Sequence, residues 1–177
     1  MKKLCVDQGR GTGTCKGVWV LFERPCDWKD LAIDTPDIAN SLYYEINDTT
    51  YLMFFLSISK FPVDITDEQF KQMILTDKGL RGLVSDVTQG GGVFLSGRGV
   101  KIDGRDWAEI IYKSPKSTVS EYDIYNYMVN YVMIQNGIII KLIYMAGASQ
   151  EKTADDLFKK YKELFVALAA KVNVDIK

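Results

Sequence analysis

The sequence predicts an α+β domain: an antiparallel sheet of about six or seven strands with helices packed on it, in the order β-ββ-α-ββββ-α. Three observations carry this. Asp103-Gly104 and Asn136-Gly137 each separate two β-type runs, and such dipeptides favour the tight type I′ turn of a hairpin. Thr66-Asp67-Glu68-Gln69 has the form of a capping box, in which hydroxyl and amide side chain reciprocally satisfy the first backbone donors of a helix. Finally, Ala154, Leu157, Phe158, Tyr161, Leu164, Phe165, Leu168 and Val172 form one apolar stripe at helical spacing near the C-terminus.

Along the chain, residues 1–16 are Gly-rich, polar and without periodicity, and read as a flexible leader to a single domain over 17–177. Val18-Trp19-Val20-Leu21-Phe22 is the first strand, ended by Pro25. Ser41 to Ile46 and Tyr51 to Lys60 form a hairpin around Asn47-Asp48-Thr49-Thr50, and the apolar run Tyr51 to Leu56 suits a strand covered on both faces. A helix starts at about residue 67, with a break near 77 because Gly79 and Gly82 weaken its middle. After Gly90-Gly91-Gly92 come four strands, Val93 to Ile102, Arg105 to Tyr112, Tyr122 to Gln135 and Ile138 to Met145. In the third, Tyr125, Tyr127, Val129, Tyr131 and Met133 share one face, with Asn126 and Asn130 on the other. Ser149 or Thr153 is placed to cap the closing helix, whose outer side carries Lys159, Lys160, Lys162 and Glu163.

Composition excludes several functions. The 177 residues include 22 Lys plus Arg and 23 Asp plus Glu, a balance that does not supply the basic surface a nucleic-acid binder needs. There is no histidine, which removes Ser-His-Asp and Cys-His catalysis and His-ligated zinc. No run of about 18 uncharged apolar residues is present to span a bilayer. Met1-Lys2-Lys3-Leu4 has the basic opening of a signal peptide but lacks the apolar stretch. The cell envelope is therefore expected if an export signal was removed, and the cytoplasm otherwise. Cys5, Cys15 and Cys26 leave three readings open: one disulfide with a free thiol, three reduced thiols, or a lipid-attachment cysteine and hence an anchored full-length form.

Each candidate chemistry meets an obstacle. Gly9 to Lys16 fails the phosphate-loop pattern, because Cys15 precedes Lys16 and Gly17 follows it. Asp27, Asp30, Asp34 and Asp37 recur as helix neighbours would, but Pro36 disfavours a helix and calcium-loop spacing is missing, leaving a solvated acidic loop. Cys15 and Cys26 have no general base nearby in sequence. Arg98, Lys101 and Arg105 flank the Asp103-Gly104 turn beside Asp103 and Asp106, as a charge-balanced tip. No catalytic, cofactor or metal residue is assigned. The ten tyrosines and three tryptophans suit a partner-facing surface, for which Trp28, Tyr43, Tyr44 and Trp107 are the candidates.

This order of elements resembles the Mog1/PsbP-like fold. The resemblance covers about residues 17–172. It rests on Pro25-Cys26-Asp27-Trp28 after the first strand, the Ser41 to Lys60 hairpin leading to the helix capped at Thr66, the turn Ile102-Asp103-Gly104-Arg105-Asp106-Trp107, and the Asn136-Gly137 hairpin before an amphipathic helix. It implies an accessory module acting through protein contacts, of the kind found among bacterial envelope proteins and lipoproteins. The Ran-binding members use an acidic surface, and residues 27–48 hold six acids against Lys29 alone, but no motif of those members is present. The alternative expectation is a carrier of a small apolar ligand held between sheet and helix, lined by the Tyr stripe and Met128 or Met133.

Overall fold

The computed structural model describes residues 3–119 and 122–177. Eleven strands and four α-helices follow one another as β1 (Leu4–Arg10), β2 (Val18–Pro25), β3 (Lys29–Asp30), β4 (Ile38–Asn47), β5 (Thr50–Lys60), α1 (Asp67–Ile74), α2 (Asp77–Gly82), α3 (Ser85–Gln89), β6 (Val93–Ile102), β7 (Arg105–Lys113), β8 (Ser117–Val119), β9 (Tyr122–Gln135), β10 (Ile138–Ala148), α4 (Glu151–Ala169) and β11 (Asn173–Ile176). The main sheet runs β3-β4-β5-β10-β9-β7-β6, with β8 pairing with β9. A second sheet runs β1-β2-β11. Every pairing among the described residues is antiparallel. The fold is α+β, as the sequence predicts.

The local signals act as expected. At Thr66 the hydroxyl accepts from the Gln69 amide at 3.2 Å, and the Gln69 side chain accepts from the Thr66 amide at 2.7 Å. The helix indeed breaks near residue 77, continuing as α2 and α3. Asp103 and Gly104 have φ of 50° and 71°, and Asn136 and Gly137 have 53° and 71°, so both hairpins turn through the left-handed region that these residues tolerate.

Two expectations are corrected. Residues 4–10 were read as a flexible leader but form β1, paired with β2 from Leu4↔Pro25 to Arg10↔Trp19. Its polar appearance has a cause. The inward positions include Asp7, paired with Arg24 at 3.0 Å, and Gly9, where a Cβ would lie 2.1 Å from Leu56 Cδ2. At Gly9 the strand lies so close to Leu56 that no side chain fits, and with a charged residue at the other of these positions the apolar periodicity disappears. The second sheet and β11 were likewise not anticipated. The N-cap of α4 is Gln150, with no side-chain cap bond, rather than Ser149 or Thr153.

Two cores flank the main sheet. On one face α4 and the second sheet bury Val18, Val20, Phe22, Leu52, Phe54, Leu56, Leu142, Tyr144, Phe158 and Phe165. On the other, α1, α2 and α3 rest mainly on β6, β7 and β9, burying Phe70, Ile74, Leu80, Ile110, Tyr112 and Val132. Among the described residues no helix is long and apolar enough to cross a membrane.

Candidate functional site

Because α1–α3 sit over β6, β7 and β9, the same face of β4, β5 and β10 has, among the described residues, no helical cover of comparable extent. Register places the side chains there. Directly opposed residues share a face, so one row crosses the sheet as Tyr43↔Met53↔Met145↔Met128↔Tyr112. The next row is Ser41↔Phe55↔Ile143↔Asn130↔Ile110. Tyr43, Met53, Phe55, Ile143 and Met128 are half-buried, while Met145 is 8% exposed. Their sequence neighbours Leu52, Phe54, Leu56, Leu142 and Tyr144 face α4 and are no more than 1% exposed. The uncovered half is therefore mainly apolar and aromatic, with Ser41, Ser57 and Lys141 on the same face, and partly wet, the composition of a contact surface.

Polar groups border it. Tyr51 donates its hydroxyl to Asn126 Oδ1 at 2.8 Å, and burial pushes its phenol pKa up despite that bond. The Lys29 ammonium lies 5.8 Å from the Tyr43 ring centre. Asn130, 2% exposed, has a side-chain oxygen with no hydrogen-bond partner among the described residues.

Of the candidate contact residues, Tyr43 stands on this face. Tyr44, next to it, packs half-buried against the opposite core. Trp28 and Trp107 are corrected: they are 3% and 0% exposed, core residues rather than surface ones. A single sequence cannot distinguish an indole that fills a core from one that greets a partner, since both follow β-type patterning. The apolar row itself was missed because its members lie on strands far apart in sequence, joined only by register. Cys5 and Cys26 form a disulfide, which selects the first of the three cysteine readings, and Cys15 is a buried free thiol.

Glu109 is buried on the α4 face, where it accepts from Tyr131 Oη at 2.9 Å and from Arg98 Nε at 2.8 Å. The hydrogen bond from Arg98 raises the guanidinium pKa, and burial, reinforced by Glu109, raises that of Tyr131. The carboxylate is thus satisfied by two donors. The layer between sheet and α4 is filled: Tyr144 contacts Phe54 at 4.9 Å and stacks on Phe165 at 5.2 Å between ring centres. Asp30, Asp34 and Asp37 are exposed, and no group of three His, Cys, Asp or Glu able to hold a metal occurs among the described residues. At the basic tip Arg98 pairs with Glu109, Lys101 with Asp106 at 2.9 Å, and Arg105 with Asp103, so its charge is balanced.

The architecture is the PsbP-like fold. It is similar to the solution structure of cyanobacterial PsbP (CyanoP) from Synechocystis, with a TM-score of 0.61 and 20% identity over 96% of this chain and 92% of that one. It is also similar to the crystal structure of LpqN, involved in cell envelope biogenesis of Mycobacterium tuberculosis, with a TM-score of 0.52 and 12% identity over 97% and 91%. No protein-family profile matches the sequence, and no curated protein matches it.

Proposed function

We propose that this protein is a non-catalytic accessory module of the bacterial cell envelope that binds a protein partner through the uncovered half of its sheet. The observation that carries the reading is the cluster of half-buried Tyr43, Met53, Phe55 and Ile143, from two adjacent rows on strands whose opposite face is sealed. Aromatic and Met side chains are enriched at protein interfaces, and a flexible thioether adapts to the shape it meets. The envelope assignment is supported by the Cys5–Cys26 disulfide, since such bonds persist in oxidising compartments, and by the likeness to LpqN.

The test is site-directed photocrosslinking in cells, with a photoreactive residue at Phe55 and a control at Lys159 on the outer side of α4. A discrete adduct from position 55 that is absent from 159, and lost when Ile143→Glu is added, is the expected result. Adducts equally frequent from both positions, or unaffected by Ile143→Glu in a protein with unchanged thermal unfolding, overturn the assignment.

A further inference from the structure

We propose that Met53, Met145 and Met128 form a thioether site for a soft monovalent cation, copper(I), where the uncovered half of the sheet meets the edge of the α1–α3 core. The chain has six methionines, and three of them occupy consecutive positions of one cross-strand row, Met53↔Met145 between β5 and β10 and Met145↔Met128 between β10 and β9. Directly opposed residues have Cβ atoms about 4.5–5.5 Å apart. Each Met side chain has three rotatable bonds, of which the first two set where its sulfur lies. The two outer thioethers can therefore lean inward over Met145 and bring three sulfurs around one ion, with no movement of the backbone.

Packing alone does not account for the choice of residue. Strand interiors favour β-branched and aromatic side chains, and the adjacent row obeys this on β5 and β10 with Phe55 and Ile143, though its β9 member is Asn130. A single Met fills an irregular gap. Here Met145, 8% exposed, belongs to neither packed core, and both of its cross-strand neighbours are half-buried thioethers, Met53 on the uncovered side and Met128 packed at the edge of the α1–α3 core. Tyr43 and Tyr112 stand at the two ends of the row, so no carboxylate or amine lies within it.

The donor set selects its metal. Thioether sulfur is soft and uncharged, so it suits copper(I) and offers little to magnesium, calcium or other hard cations that want oxygen. It carries no proton to displace, so binding does not weaken as pH falls through the range where thiols and imidazoles protonate. No electron is transferred: the metal enters as copper(I) and remains so. The site does not rest on the protein-contact reading, since it needs only the three sulfurs.

The experiment is a titration of the intact, disulfide-bonded protein with silver(I), a redox-stable stand-in, following 13C-labelled Met methyl resonances. Competition for copper(I) against a chromophoric chelator, under anaerobic conditions with ascorbate, accompanies it. The methyls of Met53, Met128 and Met145 are expected to shift together and saturate at one ion per chain, with Met73 and Met133 unmoved. Met145→Leu should weaken binding by at least about tenfold, about 1.4 kcal/mol. Leu conserves volume, so thermal unfolding reports whether the variant remains folded. Cys15→Ala should leave the affinity unchanged, which separates the row from the buried thiol, and Ile143→Glu should leave the metal bound even where it abolishes partner contact. Shifts spread over all methionines, binding lost with Cys15→Ala, or undiminished affinity in a folded triple Leu variant would each overturn the proposal.

Discussion

The two faces of β5 and β10 are made of the same backbone and differ in what lies on them. Facing α4, Leu52, Phe54, Leu56, Leu142, Tyr144 and Ala146 are at most 1% exposed, interlocked with Phe158, Phe165 and the inner face of β2. Facing the other way, Met53, Phe55 and Ile143 remain half-buried, because α1, α2 and α3 are short and lie over β6, β7 and β9. One face carries the burial that stabilises the fold, and the other keeps apolar surface in reserve. The difference between them is measurable.

The largest effect is expected from neighbouring phenylalanines of opposite orientation. Phe54→Ala should cost about 3–5 kcal/mol in urea unfolding, since it empties a close-packed site against Phe22 and Tyr144. Phe55→Ala should cost about 1 kcal/mol, because its ring loses only part of its contact with water on folding. Equal losses would mean that the second face is covered as well as the first.

Removing the Cys5–Cys26 bridge by a double Cys→Ala change should cost about 3 kcal/mol, on a chain-entropy estimate for its separation of 21 residues. That crosslink fastens the second sheet, whose Val18, Val20 and Phe22 belong to the α4-side core. Amide exchange should therefore accelerate in β1 and β2 while β6 and β7 keep their protection. Uniform acceleration would instead make the two cores one cooperative unit.

Alkaline pH separates the faces less sharply. Burial raises the phenol pKa values of Tyr131 and Tyr144 on the α4 side and of Tyr112 on the other, with Glu109 adding to the first and Asp86 to the last. Each folded pKa lies above the unfolded one, so stability is fully present below about pH 10 and is lost above it, at about 1.4 kcal/mol per pH unit for each phenol held neutral. Unfolding titrated from pH 9 to 11 should steepen accordingly. Tyr144→Phe should reduce the slope, and an unchanged slope would place that ring in contact with water.

How much of this was legible follows from distance along the chain. The two I′ hairpins, the capping box and the alternation of Tyr127, Val129, Tyr131 and Met133 rest on residues within a few positions of one another, and each is present in the structure. β1 was not legible, because close approach to Leu56 selects Gly9 there and removes the apolar signal. The uncovered row was illegible for a different reason. Met53, Met128 and Met145 become neighbours only once β5, β10 and β9 are in register, and no local pattern encodes which strand lies beside which. Trp28 and Trp107 were misplaced because aromatic content alone does not give orientation.

The finest distinction lies within the sealed face, between two tyrosines whose rings meet edge-on at 6.3 Å. Tyr131 donates to Glu109, whereas the Tyr144 hydroxyl is buried with no partner among the described residues. Tyr131→Phe removes a donor from a buried carboxylate and should cost about 1–3 kcal/mol, because the acceptor left behind has already been stripped of water. Tyr144→Phe removes a hydroxyl that gains nothing in the folded state, and should be neutral or stabilising by up to about 1 kcal/mol at pH 7. Urea unfolding of the two single variants reads the contrast directly. A larger loss for Tyr144→Phe than for Tyr131→Phe would require a hidden water or partner at the centre of this core, and would place the Tyr144 hydroxyl among the groups that hold the sheet to α4.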